Sequence, residues 1–114
     1  MLRQLLKSKL HRGVVTDSNV EYEGSISIAE DLMEAADLWE GEKVLVASIT
    51  TGQRLETYVQ VSPRGSGEIV INGGAAHRIK KGERVTVMAF TLSEAPVRSR
   101  RILLDESNCA VGSA

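Results

Sequence analysis

The chain has 114 residues, a formal net charge of −1 and one cysteine. That length builds one domain around a single small core, and the near-neutral charge gives no field for nucleic acid or a membrane surface. Aromatic residues make up 4% of the sequence, which excludes stacking platforms for bases.

Met1 to Leu10 is basic but lacks the continuous apolar segment of a signal peptide. No apolar run approaches the roughly 18 residues of a membrane span. The chain is therefore expected to be mature from its first residue and cytoplasmic. Cys109 has no second cysteine to pair with, which suits a reducing compartment.

Short β-rich runs follow one another: Val14–Thr16, Ser25–Ile28, Lys43–Ile49, Leu55–Val61, Glu68–Ile71, Val85–Phe90 and Ile102–Leu104. Their spacing, with glycine and polar residues between, predicts a barrel or packed sheet. The run at Lys43–Ile49 is apolar at both alternating sets of positions, so it is expected to be buried on both faces. One helix interrupts the strands. Ser27 and Glu30 have capping-box spacing, Leu32, Met33 and Ala36 make one apolar stripe, and Gly41 is a candidate left-handed terminus. Met33 and Trp39 are expected in the core or an interface. Ser62–Gly67 and Lys80–Glu83 are turns, and from Ser107 onward nothing apolar repeats, which predicts a disordered tail over 107–114.

Gly24-Ser25, within Tyr22-Glu23-Gly24-Ser25, carries the most chemistry. A Gly-Ser pair is ordinarily a flexible turn. If the backbone there is strained, however, Ser25 Oγ can attack the Gly24 carbonyl and convert the amide to an ester. β-Elimination and hydrolysis would then split the chain and leave a pyruvoyl ketone at position 25. Asn72-Gly73-Gly74-Ala75-Ala76 is the most site-like loop, since consecutive small residues let a ligand approach the main chain. Its plainer reading is a glycine turn ending a strand.

Together with Lys9-Leu10-His11-Arg12, Gly52-Gln53-Arg54-Leu55-Glu56-Thr57-Tyr58 and His77, these blocks resemble the pyruvoyl-dependent aspartate 1-decarboxylase family from about Leu2 to about Asn108. The resemblance implies a six-stranded double-psi β-barrel with one or two short helices, assembled as a homotetramer with sites at subunit boundaries. It implies self-cleavage into residues 1–24 and 25–114, and decarboxylation of L-aspartate to β-alanine for pantothenate and coenzyme A synthesis. The cofactor would be the pyruvoyl group made from Ser25, with neither PLP nor metal, and a maturation helper is conceivable for such a chain.

Residue by residue, the resemblance gives Thr57 the task of polarising the Gly24 carbonyl, Asn72 that of aiding cleavage, and Tyr58 that of protonating the product carbon. Gly73, Gly74 and Ala75 would bind substrate through their backbone. Arg54, Lys9, His11 and Tyr22 would gather around its carboxylates or the processed terminus. Each has a plainer role: Thr57 as a strand former, Tyr58 as a core aromatic with its hydroxyl at the surface, Arg54 and Lys9 as solvated charges. His77 is expected to be structural. On a regular strand Thr57 and Tyr58 face opposite ways, so one pocket can use both only if the strand bulges or if the two act on different sides of Ser25.

The sequence departs from the family pattern at Ala47-Ser48, Thr51-Gly52, Gly74 and Ala29, which touch the pocket wall and turns rather than the reacting groups. Two other readings stay open: a non-enzymatic barrel that keeps Gly24-Ser25 uncut, and a pyruvoyl decarboxylase of another small acidic amino acid such as glutamate.

Overall fold

A computed structural model describes residues 1–114. Nine strands, β1 (Arg3–Val14), β2 (Asp17–Asn19), β3 (Ser25–Ala29), β4 (Lys43–Ser48), β5 (Arg54–Ser62), β6 (Ile69–Asn72), β7 (Arg84–Ser93), β8 (Arg100–Leu104) and β9 (Ala110–Ser113), accompany one helix, α1 (Glu30–Ala36), and a 3₁₀ turn over Gly73–His77. They form one mixed sheet in the order β2-β6-β3-β5-β4-β7-β1-β8-β9. Only β1–β8, β2–β6 and β3–β5 run parallel. The ladder runs open from β2 to β9, and its nine strands exceed the six expected.

The additional strands have little apolar signal. Asp17-Ser18-Asn19 is wholly polar and becomes β2 only by lying along β6. The N-terminal half of β1 is set by its long pairing with β7, a case of tertiary partners overriding local propensity. β1 shifts register between Leu10 and Gly13, where Arg12 takes a φ of 65°. Beyond β1, Thr16 N donates to Ile69 O at 2.8 Å while Ile69 N donates to Thr16 Oγ1 at 3.0 Å, which ties the end of β1 to the start of β6.

Alternation along the strands delivers the core: Leu10, Ile26, Ile28, Val44, Val46, Val59, Ile69, Ile71, Val85 and Val87 are all buried. In β4, Val44 and Val46 are buried but Leu45 and Ala47 only partly so, and one face is thus less covered than its composition suggests. Helix α1 buries Leu32, Met33 and Ala36, as its stripe requires. Its ends differ from expectation. Ala29 precedes it without a side-chain cap, because Ser27 belongs to β3, and Asp37 rather than Gly41 takes the left-handed position at φ 59°. Trp39 is 76% exposed and not a core residue of this chain.

The expected disordered tail is ordered. Asn108, 3% exposed and with φ 59°, accepts from Val14 N at 2.7 Å and donates to Val14 O and Gly67 O at 2.8 Å each. This polar clamp needs no apolar repeat, and β9 then pairs with β8 as an exposed edge. No helix is long and apolar enough to cross a membrane.

Candidate active site

Three strands converge on Ser25. It opens β3, where the register sets it opposite Asn72 of antiparallel β6 and puts the next residue, Ile26, opposite Val59 of parallel β5. Tyr22, Glu23 and Gly24 before it are exposed, yet Ser25 has no accessible surface. The chain therefore dives inward at the Gly24-Ser25 bond.

The buried hydroxyl donates one hydrogen bond and accepts one. Ser25 Oγ accepts from Asn72 Nδ2 at 2.9 Å and donates to Gln60 Oε1 at 2.9 Å, with Glu23 O at 3.5 Å. Asn72 spends its other N–H on Ser27 Oγ at 3.0 Å, so the amide is held from two sides. Asn72 therefore meets Ser25 as expected, whereas Gln60 was not anticipated. A signal for Gln60 was available: it lies two residues beyond Tyr58, on the same face of β5 as Tyr58 and Arg54.

Gly73 closes the other side. Its φ is +73°, and a Cβ there would lie 2.6 Å from Gly24 Cα and 2.7 Å from Gly24 N. Only glycine permits that approach, and it buries Gly73 beneath the Gly24 segment while Gly74 stays exposed and Ala75 half-buried. Gly73→Ala should displace the Gly24-Ser25 bond and slow any cleavage there by about a hundredfold, the order expected for misplacing reacting atoms by an ångström. Fragment formation followed by mass spectrometry checks this; a parental rate would show that the contact is irrelevant to cleavage.

Thr57 and Tyr58 sit next to this cluster without hydrogen-bonding to it. Continuing the β3–β5 register one step back from Ile26–Val59 aligns Ser25 with Tyr58; Thr57 precedes Tyr58 on β5, and Gly24 lies in the bend before β3. Thr57 is half-buried and Tyr58 37% exposed. β5 shows no register shift against either neighbour, so a bulge does not bring the two side chains to one face. Tyr22, Ser27, Gln60 and Asn72 line one open cleft of about 340 Å³, which places the hydroxyl-binding amides at its wall.

Lys9 and His11 are elsewhere. They lie on β1, four strands from β3 in the sheet order. His11 Nδ1 is 3.0 Å from Thr86 Oγ1. Its pKa is lowered by burial first and then by the positive charges of Lys9, Arg12 and Arg84, which favours the neutral ring. Arg54 is exposed at the start of β5. Within one chain, none of these three hydrogen-bonds to the Ser25 cluster.

A family-level profile described as aspartate decarboxylase matches residues 1–111. Three relatives carry the name aspartate 1-decarboxylase. The protein from Thermotoga sp. (strain RQ2) is 51% identical, covering 95% of each chain. Those from Caldicellulosiruptor saccharolyticus and Shouchella clausii are 46% and 45% identical, covering 95% of this chain and 87% and 88% of their own. A profile match across nearly all of the sequence, with identities at this level, shows that the chain belongs to the aspartate decarboxylase family.

Proposed function

We propose that this chain decarboxylates L-aspartate to β-alanine and carbon dioxide, supplying pantothenate and coenzyme A synthesis in the cytoplasm, after cutting itself between Gly24 and Ser25. The observation that carries the proposal is the buried Ser25 hydroxyl held by Asn72, beside a Gly24 backbone against which only a glycine at position 73 fits. A merely structural Gly-Ser turn needs neither.

In cleavage, Ser25 Oγ attacks the Gly24 carbonyl carbon while Thr57, two residues before Val59 on β5, polarises the carbonyl oxygen. Elimination then expels Gly24 as a carboxylate, taking the serine oxygen with it, and hydrolysis releases ammonia. The products are residues 1–24 and residues 25–114, the latter headed by a pyruvoyl group. The surroundings fit that group: Asn72 keeps an N–H for a ketone oxygen, and the glycine cradle leaves room beside it. When formed, the group supplies an electron sink for the carbanion left by loss of a carboxylate, so neither PLP nor metal is needed.

The remaining roles fall to side chains. Tyr58, aligned with Ser25, donates the proton that completes β-alanine. Arg54 shares its strand face and presents a fork suited to a carboxylate. Once cut, the free Glu23-Gly24 end can move off Gly73 while β1 and β2 stay in the sheet, so that Gly73 with Gly74 and Ala75 offers main-chain donors, and Tyr22 stands at the cleft. The distance of Lys9 and His11 from Ser25 along the sheet favours a homotetramer in which one subunit's β1 completes another's site. The nine strands would contain the six of a double-psi barrel. A helper protein could set the timing of cleavage.

The test is direct. Cleaved, purified protein incubated with L-aspartate should release β-alanine, and L-glutamate should be left unchanged. Consumption of glutamate with aspartate untouched would assign the site to the longer acid.

A further inference from the structure

We infer that Gln60 is a positioning residue for self-cleavage, the acceptor that aims the Ser25 hydroxyl; this rests on the self-cleavage proposed above. Ser25 is completely buried, so no solvent competes for its proton, and Gln60 Oε1 takes it at 2.9 Å. Glu23 O, the other nearby acceptor, lies at 3.5 Å, beyond a good O–H···O bond. With the O–H directed at Gln60 and one lone pair occupied by Asn72 Nδ2, a single lone pair of Oγ is left free. That pair is the nucleophile.

The step balances as an isomerisation. The free lone pair forms the bond to the Gly24 carbonyl carbon, whose π electrons move onto its oxygen. They return as the carbon–nitrogen bond breaks, and the proton that began on Oγ ends on the Ser25 nitrogen. Gln60 does not keep this proton, because an amide oxygen is too weak a base. Its part is to hold the O–H turned away from the carbon under attack. Without Gln60 the hydroxyl turns to the poorer acceptor, Glu23 O, and the lone pair loses its direction. Position 60 on β5 is suited to this role by its face as well as its reach. It pairs with Ser27, whose own hydroxyl accepts the second Asn72 N–H, so Gln60, Asn72, Ser25 and Ser27 form one connected polar cluster.

Cleavage of freshly purified, uncut chain is followed by intact-mass spectrometry across a range of pH for the parent, Gln60→Leu and Gln60→Glu. Gln60→Leu should slow fragment formation roughly threefold to tenfold, the loss of one net hydrogen bond. Gln60→Glu should restore it, with a rate that rises with pH as the carboxylate forms, a dependence that a purely structural role would not create. Parental cleavage in Gln60→Leu, or equally slow cleavage in both variants at every pH, would overturn the role of Gln60. A parent chain that never cuts would instead overturn self-cleavage, and the role with it.

Discussion

Ser25→Ala should remain a single chain and turn over no aspartate. The substitution removes one oxygen from a fully buried position, and in the proposed cleavage that oxygen is both the nucleophile and the atom that leaves with Gly24. No neighbour replaces it: Ser27, the nearest other hydroxyl in the cluster, is engaged by Asn72 and lies two residues beyond the scissile bond. The fold should survive. Gln60 and Asn72 each lose a partner, a cost of about 1–3 kcal/mol, while Ile26, Ile28 and Ile71 keep the strand packed. Circular dichroism of the variant should match the parent. Two fragments from a folded Ser25→Ala would remove Ser25 from the chemistry altogether.

Tyr58→Phe separates the two halves of the reaction. It should cut at the parental rate, because no hydrogen bond joins Tyr58 to Ser25, Gln60 or Asn72, whose contacts stay as they were. Turnover of aspartate should then fall by about a hundredfold or more, the usual contribution of a positioned proton donor. The expected pattern is therefore full fragment yield with a low kcat. Normal turnover in the cleaved variant would take the donor role away from Tyr58. Failure to cleave would move the phenol into the processing step.

Gly24-Ser25 offered a hydroxyl beside a glycine carbonyl, but a Gly-Ser pair is ordinarily a turn, and only the resemblance of the surrounding blocks to a family singled it out and gave Asn72 a role. The sheet brings Ser25 and Asn72 opposite one another. Gln60 had only its spacing from Tyr58 as a signal, and a glutamine in a strand is ordinary; the buried hydroxyl facing it gives it meaning. The central strands were plain from apolar alternation, but β2 and β9 were not, since short, largely exposed edge strands are specified by their partners and carry no period of their own. Asn108 shows the same limit. One buried amide and its three hydrogen bonds order a segment that composition reads as loose. Ser27 has the capping residue's spacing but lies in β3, where Asn72 binds its hydroxyl. The helix then starts from Ala29 and is held by what it buries.

The central claim is that this chain makes its own electrophile from Ser25, and intact-mass spectrometry of the purified protein under denaturing conditions tests it most directly. The account predicts two species, residues 1–24 and residues 25–114, with the larger lighter by one ammonia than plain hydrolysis of the Gly24-Ser25 bond would leave it. A larger fragment that still begins with serine, or a chain that stays whole under every condition that supports aspartate turnover, would contradict it.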